Sequence, residues 1–232
     1  MLAAVKPLND NPETLTEEEE KLKHFLNDLL QHADTTSYVS SDPLGIVRRF
    51  APVDQPVVGL LVSSLAYGRV TSIRKAANGL LARLGNSPKQ TIIAMDWDEL
   101  QDYCHGFVYR MTKAEDIADL LWGIREVLHQ HQTLEALYIS TPGDHLTRAA
   151  AFVDAIKAAR HREEQSRGLG YLLPSPAAGS ATKRLHLYFR WMIRDADGVD
   201  LGLWESVSPA GLLLPLDTHT SRICRYLGLS ER

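Results

Sequence analysis

Residues 57–85 read VVGLLVSSLAYGRVTSIRKAANGLLARLG, and this stretch decides the fold class. Its first nine residues are strongly apolar, and the length and the Ala and Leu content of the whole stretch favour buried helix over strand. Tyr67-Gly68 predicts a break between two helices, and Gly85 predicts the C-terminal stop of the second. We therefore expect two consecutive helices here.

The segments before this stretch are typical of a capped helix and a connection. Thr16 precedes four glutamates, an arrangement that suits a helix N-terminus. The helix that follows carries an apolar stripe made of Leu22, Phe25, Leu26, Leu29 and Leu30. Residues 42–56 contain three prolines and one glycine, which predicts a connection.

The segments after it also have helical period. A helix is expected around 90–103, followed by a turn over 105–112. Residues 113–132 form a clear amphipathic pattern, with Thr112 and Glu115 matching a capping box. The predicted inward positions are Ile117, Leu120, Leu121, Ile124, Val127 and Leu128.

The C-terminal third completes an all-α prediction. Residues 146–166 predict a helix, 167–178 a loop, and 180–194 a helix capped by Ser180. A last helix is expected to begin at Thr218 and to stop at Gly228. The chain contains no internal repeat, no low-complexity tract and no convincing alternation of period two.

Composition limits the class of protein. With 232 residues, 44% of them hydrophobic, the chain can bury a real core. Its net charge is −4, yet residues 157–194 hold eight basic and two acidic residues, a local stripe that suits either a polyanion or solvent. Two cysteines, Cys104 and Cys224, allow no disulfide framework or four-thiolate cluster, and Cys224 is expected to be a packed thiol.

The sequence also indicates the compartment. It opens with no charged-then-apolar signal and contains no apolar run of 18 residues. We therefore expect a cytoplasmic protein that has no membrane partner, and the sequence leaves its oligomeric state open.

The helix predicted over 180–194 has two faces. Its core face is expected to consist of Leu185, Tyr188, Phe189 and Met192. The other face carries Lys183, Leu187, Arg190 and Arg194, flanked by Arg184 and Trp191. A reactive amine must lose its proton, and nearby cations such as Arg184 and Arg190 favour that loss. The alternative is an ordinary amphipathic helix whose lysine extends to water.

Asp217 stands just before the last helix. Its carboxylate is expected to cap that helix by accepting a backbone N–H from His219 or Thr220. A cap also holds a carboxylate ionised and fixed, so capping and chemistry are compatible. An amine that attacks a sugar carbon and a carboxylate that steadies the resulting cation are the minimum equipment for removing a base from DNA.

Other site types find little support in the sequence. His129 and His131 diverge on their helix, so no metal site is predicted there. His186 and His219 are more typical of supporting or surface groups than of bases. No P-loop, dinucleotide-binding loop or nucleophile elbow occurs, and no cofactor is expected.

Three segments in order resemble the helix-hairpin-helix DNA glycosylases, the endonuclease III-like superfamily. They are LLVSSLAYGRVTSIRKAANGLL (60–81), GFVYRMTKAEDIADLLWGIREVL (106–128), and LPSPAAGSATKRLHLYFRWMI (173–193) followed by PLDTHTSRICRYLGL (215–229). A closer similarity, over nearly the whole chain, is to a bacterial family of uncharacterised proteins that share a K-R-L-x-x-x-x-R-W-M run.

The superfamily resemblance implies a two-lobed helical fold and a base-excision activity on damaged duplex DNA. Residues 1–54 would join the second lobe, 55–194 would form the central helical domain, and 195–232 would carry the catalytic aspartate. Asp217 would be that aspartate, and Lys183 the Schiff-base lysine of the bifunctional branch. A damaged base would turn out of the stack into a pocket between the lobes.

The resemblance also implies where DNA would bind. The loop over 174–180 would offer backbone N–H groups to a phosphate. The predicted DNA-binding residues are Gly179, Ser180, Arg184, Arg190, Arg194 and Arg222. The residues predicted in or beside the base pocket are Tyr67, Trp191 and His219.

The chain departs from the superfamily pattern at several points. Leu173–Gly179 replaces Leu-Pro-Gly-x-Gly with a longer loop that lacks one glycine, and Leu65 stands where many members have a glutamine. The cysteines of an iron–sulfur cluster are absent. The chain also ends soon after Gly228, where the superfamily continues with further helices, which is consistent with a truncated C-terminal segment.

Three functions therefore stay open from the sequence. The first is a DNA N-glycosylase, with or without lyase activity through Lys183. The second is a catalytically silent DNA-binding module on the same scaffold, which would explain the altered hairpin. The third is a helical scaffold for protein interactions.

Overall fold

The computed structural model describes residues 15–33, 37, 39–215 and 217–230. Within these ranges the chain forms twelve α-helices, two 3-10 turns and one two-stranded sheet, so the fold is all-α as predicted. The helices are α1 Glu17–His32, α2 Leu44–Val47, α3 Gln55–Ser64, α4 Val70–Leu81, α5 Pro88–Ala94, α6 Trp97–Cys104, α7 Ala114–His131, α8 Leu134–Ile139, α9 His145–Ala158, α10 Arg167–Leu172, α11 Lys183–Ile193 and α12 Thr218–Tyr226. The strands are β1 Val108–Tyr109 and β2 Thr112–Lys113, and the 3-10 turns are Pro176–Ala178 and Pro209–Gly211.

The α3 helix supports the helix that carries Lys183. Nine of its ten residues are buried, and its main partner is α11. Gly59 allows this close packing, because a Cβ there would stand 3.0 Å from the Met192 methyl and 3.4 Å from the Tyr188 ring. The four predicted core residues of α11 are all buried. Apolar contact with α3 thus fixes the orientation of α11.

The α7 helix forms the second centre of the core. It packs against α5, α6, α8, α9 and α10, and all six of its predicted inward residues are buried. Gly123 faces α9 so closely that a Cβ there would lie 2.2 Å from the Ile156 carbonyl oxygen. A glycine is therefore required where the two helices cross.

Gly123→Ala should destabilise the protein by about 1–3 kcal/mol, because the added methyl group overlaps the α9 backbone. The change should lower Tm by roughly 2–4 °C for each kcal/mol in a chain of this size. The matched control is Gly79→Ala in α4, where an added Cβ meets nothing within 4 Å. That variant should gain up to ~1 kcal/mol from helix propensity. Thermal unfolding measures both, and equal Tm values for the two variants would contradict the prediction.

The N-terminal half confirms several predicted elements and corrects others. Thr16 caps α1 in a capping box with Glu19, as its sequence position indicates. The apolar stripe of α1 is not buried, however: Phe25, Leu29 and Leu30 are each more than half exposed. The predicted connection over 42–56 contains the short, largely buried α2, because its apolar residues pack into the core although prolines surround them.

The middle of the chain holds more breaks than predicted. The helix expected around 90–103 is divided into α5 and α6, because Asp96 starts a new helix by accepting the Glu99 N–H at 2.9 Å. The predicted turn over 105–112 belongs to a tight hairpin that pairs Val108 with Lys113. The α7 helix is capped one residue later than predicted, because the carboxylate of Asp116 accepts the Lys113 N–H at 2.8 Å.

In the C-terminal third, the structure differs from the prediction mainly in where the helices begin and end. The predicted helix over 146–166 ends at Ala158, and the predicted loop over 167–178 contains α10 and a 3-10 turn. The last helix begins at Thr218 as predicted. Leu216 of the Pro-Leu-Asp-Thr-His motif lies outside the described residues.

The structure bears on one of the two broader predictions and leaves the other untested. No helix in the described ranges is long and apolar enough to cross a membrane. The division into 1–54, 55–194 and 195–232 stays a prediction.

Candidate functional site

Lys183 occupies the first turn of α11, directly after a strained residue. Thr182 has φ 37° and ψ 44°, a left-handed conformation that is unfavourable for a β-branched side chain. Thr182 is nevertheless buried, and its carbonyl accepts the Leu185 and His186 N–H groups that start the helix. The helix therefore begins three residues after Ser180, which was predicted to cap it. Strain of this kind costs about 1–3 kcal/mol and often accompanies functional sites.

Asp217 caps α12, as predicted. Its Oδ1 accepts the backbone N–H of Thr220 at 2.8 Å. Because this bond fixes one carboxylate oxygen, the other oxygen has a defined direction, and it is Oδ2 that faces α11.

Lys183 and Asp217 meet across the starts of two helices. The Lys183 Nζ lies 3.6 Å from the Asp217 Oδ2, and the two side chains are 49% and 41% exposed. An exposed ion pair at this distance stabilises a fold very little. Both groups are open to solvent and hence to a ligand.

The electrostatics of Asp217 restrict its chemical role. Hydrogen bonds from the backbone N–H and the hydroxyl of Thr220, with the Lys183 ammonium as a further cause, lower the pKa of Asp217 to about 2. A carboxylate this acidic is a poor proton acceptor near neutral pH. It is well suited to remain charged beside a developing cation.

Arg184 ties the site to its surroundings. Its guanidinium donates to the carbonyl oxygens of Ser64 and Tyr171. It also lies over the rings of Tyr67 and Tyr171, 5.0 and 4.8 Å from their centroids. Burial lowers the pKa of Arg184. With these partners the side chain links α11 to α3 and α10, a role that differs from the predicted contact with DNA.

Arg190 and Arg194 point to carboxylates. The Arg190 Nε and the Arg194 Nη1 donate to Asp200 Oδ2 at 3.0 and 2.8 Å, and the Arg194 Nη2 donates to Asp197 at 2.5 Å. Asp200 is only 1% exposed. Within the protein these two arginines neutralise a buried acid, which competes with their predicted contact with phosphate.

The other predicted DNA-binding residues differ in how available they are to a ligand. In the loop before α11, the N–H groups of Ala178 and Gly179 donate to carbonyls inside the 3-10 turn. These two N–H groups are therefore not available to a phosphate, contrary to the prediction. Ser180 and Arg222 are exposed.

The residues predicted beside a base pocket separate into three environments. His219 is exposed in the first turn of α12, next to Asp217. Tyr67 is half-buried, and its hydroxyl bonds to the Thr112 hydroxyl at 2.7 Å. Trp191 is only 2% exposed and belongs to the core, because its helix turns that side toward apolar neighbours. The predicted role of Trp191 in a base pocket thus conflicts with its burial.

A buried pair of histidines, His145 and His186, lies one turn beyond Lys183, and no local sequence pattern predicts it. The Tyr138 hydroxyl bonds His145 Nδ1 at 2.7 Å, and His145 Nε2 bonds His186 Nδ1 at 3.0 Å. Burial and then the neighbouring His186 lower the pKa of His145 to about 4. The two rings are therefore neutral at pH 7 and anchor α11 to α8 and α9. The partners are 41 residues apart, beyond any local pattern.

The described residues contain no candidate metal site. Across the residues that the structure describes, no group of three or more His, Cys, Asp or Glu side chains could hold a metal ion. The two cysteines are far apart in sequence, and both thiols are free and buried, as predicted for Cys224.

Comparisons with known proteins give a family for the chain. No curated protein and no solved structure matches it. A family model described as "protein of unknown function (DUF2400)" matches residues 42–232, which include both Lys183 and Asp217. The chain therefore belongs to the DUF2400 family.

Proposed function

We propose that the protein is a DNA N-glycosylase of base-excision repair, with lyase activity through Lys183. One observation carries the proposal: the Lys183 amine and the Asp217 carboxylate stand 3.6 Å apart, although 34 residues separate them in sequence. The order of motifs that resembles the helix-hairpin-helix glycosylases gives independent support. The DUF2400 description is silent on activity.

The chemistry follows from the two groups. The Lys183 ammonium first gives one proton to solvent. The amine then attacks the sugar C1′ and forms a C–N bond, while the C1′–base bond breaks and its electron pair leaves with the base. The base takes up one proton, and the attacking nitrogen loses one to the solvent that reaches this half-exposed side chain. Asp217 stabilises the positive charge that develops on the sugar. The sugar ring then opens as the remaining nitrogen proton passes through solvent to the ring oxygen, which gives an imine. Loss of a C2′ proton to water and departure of the 3′ phosphate cleave the strand.

A catalytically silent DNA-binding module is the second candidate. It is favoured by the exposure of the pair, since half-exposed Lys–Asp contacts also occur as ordinary surface salt bridges. Such a module would bind duplex DNA without releasing a base.

Borohydride trapping on duplex DNA that contains an abasic site tests the proposal. Wild-type protein should form a covalent adduct, because borohydride reduces the imine to a stable amine. Lys183→Ala should form none, since no other amine stands beside the Asp217 carboxylate in the described ion pairs. Peptide mapping should locate the wild-type adduct at Lys183.

Lys89→Ala is the matched control and should trap like the wild type. The Lys89 side chain forms no hydrogen bond or ion pair with the described residues, and its backbone N–H, which donates to Asp54, is unchanged by the substitution. A wild-type adduct that persists in Lys183→Ala would refute the role of this lysine. DNA binding with neither an adduct nor base release, across a panel of lesions, would favour the silent module.

A further inference from the structure

A basic cleft runs along α4, opposite the hairpin formed by β1 and β2. Its volume is about 770 Å³. The basic side chains that line it are Arg69, Lys75, Arg83, His105 and Arg110, and the phenols of Tyr103 and Tyr109 line it as well. No carboxylate lines it. Four permanent cations around one cavity, in a protein whose net charge is −4, form a local site for an anion.

None of these four cations has an acidic partner among the residues that the structure describes. Within the described ranges, Arg69, Lys75 and Arg110 form no salt bridge, unlike Arg190 and Arg194. Their side chains are exposed at the cleft. Arg83 donates to the backbone carbonyls of Tyr103 at 2.5 Å and Asp102 at 3.3 Å, and its guanidinium lies 5.1 Å from the centroid of the Tyr103 ring. The positive charge of the cleft is therefore not neutralised by the protein.

Gly79 lies on the wall of the cleft, in the interior of α4. A glycine here is unfavourable compared with alanine, because it lowers helix propensity. Packing does not explain it, since an added Cβ would meet nothing within 4 Å. Its lack of a side chain keeps the middle of the cleft open, which suits an occupant that lies along the helix.

The cleft is linked to the Lys183–Asp217 pair by a short series of contacts. Tyr109 lines the cleft, and its hydroxyl donates to the carbonyl oxygen of Tyr67. The rings of these tyrosines are 4.8 Å apart, and the Arg184 guanidinium lies over Tyr67. Arg184 follows Lys183 directly in α11. The elements that carry the cleft and the pair therefore pack against the same tyrosines.

We propose that this cleft binds the phosphate backbone of one DNA strand beside the Lys183–Asp217 site. From Arg69 to Arg83 the helix and its last turn span about 20 Å at 1.5 Å per residue. Measured along the duplex axis, that length corresponds to about six base-pair steps. The choice of DNA as the polyanion rests on the proposed function, whereas the cleft, its charges and its open middle do not.

Fluorescence anisotropy with an undamaged duplex oligonucleotide, from about 50 to 200 mM salt, tests this proposal. Lys75→Glu should weaken binding and reduce the magnitude of the slope of log K against log salt by about 1. Gly79→Glu should also weaken binding, because it puts a carboxylate in the middle of the cleft without removing a cation. Lys89→Glu makes the same charge change outside the cleft and should keep the wild-type slope. Circular dichroism identifies any variant that has lost its fold.

Each outcome tests DNA binding by the cleft independently of the proposed glycosylase activity. Absence of DNA binding would overturn the cleft proposal even if Lys183 is trapped by borohydride. The proposal would also fail if Lys75→Glu and Gly79→Glu bound DNA with the same affinity and salt slope as Lys89→Glu. A reduced slope without any adduct or base release would support the cleft and remove the proposed glycosylase. Preferential capture of inorganic polyphosphate over DNA would also overturn the assignment of a DNA strand.

Discussion

Asp217→Asn is expected to slow base release by about 10²–10³-fold while leaving the fold and DNA affinity nearly unchanged. Asparagine has the same shape and is an equally good N-cap, so its side-chain oxygen can still accept the Thr220 N–H. What it lacks is the negative charge that faces Lys183 at 3.6 Å. The variant therefore separates electrostatic stabilisation from capping.

Asp144→Asn provides a matched control for this experiment. Asp144 caps α9 in the same way, accepting the Thr147 N–H at 2.8 Å. Its replacement should leave base release unchanged. Single-turnover release of the excised base and anisotropy with the same DNA give the two quantities to compare. Equal release rates for Asp217→Asn and wild type would refute the proposed mechanism.

The pH dependence of this effect follows from the lowered pKa of Asp217. With a folded-state pKa of about 2, the carboxylate is charged throughout the range above about pH 4. The ratio of wild-type to Asp217→Asn rates should therefore be constant between mildly acidic and mildly basic pH. Only as the pH falls through about 2 would Asp217 become neutral and the ratio decline.

Local sequence pattern accounts for the elements that the sequence predicted well. The apolar period of α7 and the buried face of α11 were predictable, because one helical turn already reveals which side is inward. The cap at Asp217 was also predictable, since a short acidic side chain before a helix satisfies that helix's free N–H groups. Both features depend on residues within a few positions of each other.

The remaining features depend on contacts between distant residues. The three bonds from Arg190 and Arg194 to acidic side chains are set by a turn after α11, and sequence alone left these arginines equally suited to phosphate. The link from His145 to His186 joins helices that no local period relates. The cations of the cleft belong to α4 and to the hairpin, and only tertiary packing gathers them.

The double variant Arg190→Ala/Arg194→Ala is expected to lower the free energy of unfolding by about 3 kcal/mol, because it leaves the buried Asp200 carboxylate without a cation. This value is at the low end for buried pairs, since the arginine side chains are 45% and 38% exposed. A buried carboxylate that has lost its partners is costly mainly through desolvation. Neutralising it should therefore restore stability.

Urea unfolding of wild type and three variants measures this prediction. The double variant should unfold at lower urea than wild type, and adding Asp200→Asn to it should recover part of the loss, because an amide is less costly to bury than a charge. Arg167→Ala, a change at an exposed arginine in α10, serves as the control and should have little effect.

The same variants decide whether Arg190 and Arg194 mainly neutralise Asp200 or mainly bind phosphate. If Asp200 is their main partner, the salt slope of DNA binding should stay at the wild-type value. A stable double variant with a flatter slope would instead assign both arginines to phosphate, as the superfamily resemblance predicts.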